Sequence, residues 1–434
     1  MKILVENSGY YLKNMGDLAM LQVGVSRLEK LFPGASINVF TLDPKELKKS
    51  LPGTNPISPR GRDTWVWPLV HKLHNSQHSS LRQKWQGIER YLIQHQPQLR
   101  SFVLKLKLQR FPDESIEMER FLGLLREADL VVATGGGFVT DTFMKITSPK
   151  LDTLAYAAKL GKKTAFLGQG LGPLENPANY RKAKEALAMA DLIFLREKRV
   201  GLPLLTEMGV ESNKIAVTGD DAIELAFNAR QPNVGSAIGI NLRMASYSSV
   251  NHDYVDNLRS VLHRVALEKS ADLLPIPIEH AANNQSTHAD SNSIKSLLCG
   301  YDNSSDGGAS LNTPLKVIQQ VSKCRFVITG SYHAGVFALS QGIPVLGLAK
   351  SKYYIDKFSG LAEQFPGGCE VILLSDQEFK ETLELKMNNL WENAEKLRPQ
   401  LLASAQEQIE LGHLAYKRIY DLCTPTDQRL AIAV

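Results

Sequence analysis

Short apolar runs recur along the chain between stretches with helical spacing. They read "KILVEN", "INVFTL", "DLVVATGGG", "KTAFLGQG" and "DLIFLRE" in the first half, then "AIGINLR", "ADLLPIPIE", "FVITG" and "PVLGLA" after residue 235. Runs that do not alternate belong to strands buried on both faces, and strands alternating with helices predict parallel sheets joined by right-handed crossovers. Pro and Gly interrupt the pattern in "NARQPNVGSA", which reads as a linker at 229–236. The pattern therefore predicts an α/β protein of two Rossmann-like, doubly wound domains, 1–228 and 237–434, facing each other across a cleft. The second domain ends in C-terminal helices, and the last helical stretch, about Asp376 to Leu422, is expected to brace the first domain.

One region, about 55–118, breaks this rhythm and is expected to be a helical basic insertion in the first domain. From Arg60 to Arg110 there are ten Lys/Arg against two Asp/Glu, with Trp65, Trp67 and Trp85 among them. Two readings stand: a subdomain with a solvated basic face, and an interfacial helix drawn to anionic lipid. His71, His74 and His78 share a helix face, but no neighbour completes a metal site, so a surface or packing role is expected.

With 434 residues the chain exceeds one ordinary core, and its 43% apolar and 22% charged residues are those of a globular protein. A net charge of +5 favours anionic ligands, yet no aromatic-basic RNA motif or helix-turn-helix pattern supports nucleic-acid binding. Cys299, Cys324, Cys369 and Cys423 form no CxxC pair, so neither a disulfide framework nor a zinc site is expected, and a reducing cytoplasm fits. The chain shows no signal-peptide pattern or spanning apolar run, and the expectation is a cytoplasmic protein, at most peripheral to the inner face of the membrane.

Candidate chemistry clusters where apolar runs end, because open α/β sheets bind ligands at the carboxyl ends of their strands. After the first run, "GYYLKNMGDLAML" offers Asn14, Gly16 and Asp17 ahead of an apolar helix. "VVATGGGFVTD" supplies Gly135, Gly136 and Gly137, whose backbone admits close ligand approach, and Asp141, which either caps a helix or binds a sugar hydroxyl. "FLGQGLGPL" places Gln169 between glycines, and "IFLREKR" and "VTGDDAI" bring Arg196, Glu197, Asp220 and Asp221 to strand ends as second-rank candidates. In the second domain "AIGINLR" yields Asn241 and Arg243, an anion-gripping side chain, and "LLPIPIEH" yields Glu279 and His280. "FVITGSYHAGVFALSQGIPVLGLAKSKYYIDKF" ends one strand in Ser331, Tyr332 and His333 and the next in Lys350 and Lys352. A histidine at a helix N-terminus is favoured in its neutral form and suits a base near neutral pH.

The ordered set "GYYLKNMGDLAML", "GGGFVTD", "GQGLGPL", "FLREK", "VTGDDAI", "INLR" and "GSYHAGVFALSQGIPVLGLA" resembles the polysaccharide pyruvyl transferase family over roughly residues 1 to 360. The resemblance implies a fold like the GT-B glycosyltransferases with the active site between the domains. It implies transfer of pyruvate from phosphoenolpyruvate to two sugar hydroxyls of a glycan, often lipid-linked, leaving a cyclic ketal and inorganic phosphate. On that analogy Arg243 and His333 are catalytic, and Arg196, Ser331, Tyr332, Lys350 and Lys352 bind the donor. Asn14, Gly16, Asp17, Gly135, Gly136, Gly137, Asp141, Gln169, Asn241 and Glu279 line the acceptor side of the cleft. The scheme requires no metal or redox cofactor. One departure stands out: many members carry Arg two residues before the histidine, where this chain has Ser331, so Arg243, Arg196 or a lysine has to supply that charge. A glycosyltransferase or sugar-nucleotide enzyme on the same scaffold is the runner-up, and a non-catalytic glycan-binding protein the third reading.

Overall fold

The computed structural model describes residues 1–70, 73, 75, 77–250, 253–281 and 289–424. His71 and His74 lie outside these residues, as does most of the polar loop after His280. The first sheet contains β1 (Lys2–Glu6), β2 (Ser36–Phe40), β3 (Asn55–Ile57), β4 (Leu130–Ala133), β5 (Gly136–Val139), β6 (Lys163–Leu171), β7 (Leu192–Leu195) and β8 (Ile215–Val217). Its order is β3-β2-β1-β4-β6-β7-β8, with β5 also paired to β6. The second contains β9 (Ala237–Asn241), β10 (Leu273–Pro275), β11 (Cys324–Thr329), β12 (Val345–Ala349) and β13 (Cys369–Leu373), in the order β10-β9-β11-β12-β13. Neighbouring strands in both sheets pair in parallel.

Strand order reverses direction beside β1 in the first sheet and beside β9 in the second. These switch points open a crevice at the carboxyl ends of β1 and β4, and of β9 and β11. The fold is thus two Rossmann-like halves of GT-B type. The triple glycine does not make the simple strand-to-helix turn its composition suggests: Gly136 to Val139 form β5, laid along β6 with Gly136 opposite Gln169.

The insertion carries the helices Arg60–Trp65, Ser79–His95, Pro97–Lys107 and Pro112–Glu127 between β3 and β4. It is anchored by Trp65, which is fully buried and stacks on Tyr156 at 5.0 Å. The final helix, Phe379–Cys423, packs Leu383, Met387 and Leu390 against the second sheet, while Ala415, Tyr416 and Ile419 join an apolar cluster that includes Ile3 and Val5 of β1. That cluster also holds Val327 and Val345, so apolar packing is continuous between the two sheets. Among the described residues no helix is long and apolar enough to cross a membrane.

Candidate active site

A cavity of about 800 Å³ lies where the two switch points meet, walled by the loop after β1, by β5, and by the segments following β7, β9, β11 and β12. The first wall is set by Asn14. Its side-chain oxygen accepts from the N–H groups of Gly16 and Asp17, both at 3.1 Å, capping the helix Met15–Leu31. Its amide nitrogen donates to Glu279 at 2.7 Å, and Met15 N–H donates to Ile278 at 2.8 Å, which stitches this loop to the second domain. Gly16 is needed at that seam: a Cβ there would fall 2.0 Å from Cγ of His333, so only glycine lets the two helix N-termini meet.

His333 opens the helix Tyr332–Leu339 and is buried, with Nε2 standing 3.6 Å from Oδ2 of Asp220. That separation exceeds a hydrogen bond, and Nε2 has no hydrogen-bond partner. The same Asp220 oxygen lies 3.5 Å from Nη1 of Arg196. Burial acts to raise the Asp220 carboxyl, but the imidazole and the guanidinium outweigh it and hold it below the usual range. Arg196 itself lies across the ring of Tyr332 at 4.1 Å, with Nε unpaired. Gly170 makes room for it, since a Cβ there would sit 2.7 Å from Nε.

Beside Arg196 is a cation that the sequence did not single out. Lys357 lies deep in the protein yet opens onto the cavity, and donates to the hydroxyl of Tyr353. A Cβ on Gly137 would meet Nη2 of Arg196 at 2.7 Å and Nζ of Lys357 at 2.9 Å, so both cations flank one glycine. Among the described residues no carboxylate lies within ion-pair distance of Lys357. Burial, and then the charge of Arg196, push its ammonium well below the ordinary lysine range. Lys150 is a second such residue: burial lowers it to about 8, and its amine donates to the carbonyls of Asn7 at 2.6 Å and Ser8 at 2.8 Å.

Arg243 reaches the cavity already compensated. It pairs with Asp290 at 2.9 Å and Glu279 at 3.5 Å and donates to Tyr247 at 2.7 Å. Its guanidinium orders that wall more than it offers an uncompensated charge. Burial raises the Glu279 carboxyl to about 6 against the opposing pull of Arg243, leaving an acid that titrates near neutrality in the cavity.

The cavity thus brings together Asn14, Asp17, Gly136, Gly137, Arg196, Arg243, Glu279, Ser331, Tyr332 and His333, with Gly16 packed directly behind His333. The other expected residues stand elsewhere. Lys352 is exposed and pairs with Glu175 at 2.9 Å, and Lys350 places its ammonium 4.7 Å from the ring of Tyr254, so neither reaches the cavity. Asp141 does not cap the helix that follows it: it accepts from Glu175 N–H, Asn176 N–H and the Asn179 side chain, tying down the loop before the helix Pro177–Met189, whose cap is Asn176. Gln169 bonds the carbonyls of Thr134 and Leu167, and Gly135 faces Met20, both behind the wall. Asn241 is buried against Asp290 and Thr329, one layer behind Arg243.

Comparison with known proteins agrees with this fold and gives a family. A family model described as "Polysaccharide pyruvyl transferase" matches residues 14–351. No curated protein matches significantly. Solved structures show the fold: UDP-GlcNAc 2-epimerase from Methanocaldococcus jannaschii is similar at 13% identity and TM-score 0.54, covering 95% of this chain and 98% of that one. The S. aureus MnaA–UDP structure is similar at 16% identity and TM-score 0.53, covering 96% and 94%. The glycotransferase of kitacinnamycin is similar at 8% identity and TM-score 0.51, covering 98% and 99%.

Proposed function

The chain belongs to the polysaccharide pyruvyl transferase family, and from that premise we propose that it moves pyruvate from phosphoenolpyruvate onto a pair of hydroxyls of a saccharide. The observation that carries this reading is the pair Arg196 and Lys357 flanking Gly137, with Asp220 at 3.5 Å from Arg196 and, among the described residues, no carboxylate paired to Lys357. Two cations drawn together with a single carboxylate, Asp220, between them and His333 leave positive charge in excess, and a small ligand with a carboxylate and a phosphate would satisfy it. Lys357 also takes the role that an arginine at position 331 would have filled, because Ser331 shares the cavity wall with it.

In the reaction, the methylene carbon of the donor accepts a proton and becomes a methyl group, which makes the adjacent carbon electrophilic. One acceptor hydroxyl adds to that carbon and loses its proton. The carbon–oxygen bond to phosphate then breaks, and the second hydroxyl adds and loses its proton, leaving the ketal and inorganic phosphate. His333, which lines the cavity with Nε2 turned to Asp220 at 3.6 Å, is the group we assign to proton transfer, with Glu279 as a second acid/base group. Asp17 and Asn14 supply hydrogen-bonding groups on the opposite wall for sugar hydroxyls.

The test is thermal stability of the purified protein with phosphoenolpyruvate and, in parallel, with UDP-sugars, since a ligand of the folded state raises its melting temperature. A rise with phosphoenolpyruvate is expected. A rise with UDP-sugars alone would reassign the cavity to the sugar-nucleotide chemistry that the epimerase relatives carry in their names.

A further inference from the structure

The helices Ser79–His95 and Pro97–Lys107 turn Ile93 and Leu104 toward the apolar core and carry apolar residues outward as well. Their inner faces grip the segment after Trp65 through polar groups: Arg100 donates to the carbonyl of Trp65 at 3.2 Å and to that of Trp67, and Glu89 accepts from Leu69 N–H at 2.6 Å. Their outer faces are apolar. Leu99, Phe102, Val103 and Leu106 follow the i, i+3, i+4, i+7 spacing of a single helical stripe, and this stripe is exposed, Phe102 to 60%. On the preceding helix Ile88 and Tyr91 are likewise exposed. Monomeric proteins seldom leave such a contiguous face open to water.

Charge names the occupant. Of the two acidic residues between Arg60 and Arg110, Asp63 is half-exposed and paired to Arg62, and Glu89 is buried and accepts from Leu69 N–H. Lys105 pairs with Glu119, whereas Arg82, Lys84 and Arg110 of the same insertion are exposed. A second copy of this face would bring cations against cations, while an anionic lipid headgroup with acyl chains beneath it satisfies both the cations and the stripe. The same insertion reaches the cavity from its inner side: Arg100 holds the carbonyl of Trp67, an exposed residue of the cavity rim, where exposed Tyr11 and Ile146 also stand.

We propose that the outer face of this insertion docks on an anionic phospholipid membrane and sets the cavity mouth at its surface. A lipid-linked saccharide would be presented there to the donor; that extension rests on the function proposed above, whereas docking does not. The test is sedimentation of the full chain with phosphatidylcholine vesicles, with and without phosphatidylglycerol, in the absence of donor. Binding to the anionic vesicles alone is expected. It should be lost in Phe102→Asp/Leu106→Asp and reduced roughly thirtyfold in Arg82→Ala/Lys84→Ala, both folded by circular dichroism. No binding by the parent protein, or binding untouched by both pairs of substitutions, overturns the proposal. So does light scattering that shows a dimer split by the Phe102 and Leu106 changes, which would make the stripe a contact between copies.

Discussion

Lys357 stabilises nothing by being charged where it is. A half-buried ammonium with no carboxylate in ion-pair range among the described residues is a liability to the folded state, and the charge of Arg196 adds to it. Such a residue persists where its charge is used. Lys357→Met keeps the side-chain bulk and removes the ammonium, so stability should rise by about 1 kcal/mol while kcat/KM for the donor falls by about 10²- to 10³-fold. Thermal melts and steady-state kinetics check the two halves together; a loss of stability with activity retained would show that the ammonium is structural. The sequence pointed instead to Lys350 and Lys352, because they follow β12 directly. Proximity to a strand end is a weaker guide than helix phase: Lys357 lies four residues after Tyr353, on the same face as that buried ring, and its side chain turns inward with it. Arg196, Arg243, His333 and Asn14 were legible because each closes or follows an apolar run. Lys150 was not, since it sits inside the helix Met144–Lys159 and enters the cavity only by tertiary packing.

At the scale of elements, most strands that could be read are largely buried, and those missed are short, at edges or rich in glycine; β10, a half-buried edge strand of three residues, was legible because its run continues into the buried Ile276 and Ile278. β3 and β8 have three residues each, those of β8 all half-buried, and β13 closes the second sheet with an exposed residue, so none presents a continuous apolar run. β5 was hidden by its glycines, which are poor strand formers held here by β6. The element contact that matters most for chemistry, the loop after β1 against the segment after β10, leaves no local pattern, because Asn14 and Glu279 are joined only by the fold. Its consequence is a pH dependence. Glu279 is held at about 6 against an ordinary 4.5, so between these values the folded state keeps a proton that the unfolded chain has released. Stability contributed by the neutral carboxyl is therefore full below about 4.5 and declines as pH rises to about 6. Glu279→Gln removes the titration, and its stability relative to the parent should grow by about 1–2 kcal/mol from pH 4 to pH 7. Urea melts at the two pH values measure this, and a difference that does not change with pH would mean the carboxyl is not raised.

The whole molecule is tied by an ion cluster centred on Asp221, one residue along the chain from Asp220. Arg27, on the first helix, pairs with Asp221 at 2.7 Å and Glu224 at 2.7 Å, and Tyr416 of the final helix donates to Asp221 at 2.9 Å. This cluster fastens a helix that also packs on the second sheet to the far side of the first, and the apolar cluster between the sheets has no break. Two halves coupled in this way should unfold together, so calorimetry is expected to show one transition although the chain contains two sheets. Burial already pushes the Asp221 carboxyl up with Arg27 in place. Arg27→Met strands that carboxylate and should cost about 3–5 kcal/mol, lowering the single transition by about 3–5 °C for a chain of this length. If the variant instead melts in two steps, with the parent melting in one, then the ion cluster and not the apolar packing couples the halves. The cavity, whose walls come from both, would then lose its donor-induced stabilisation at the temperature of the first step.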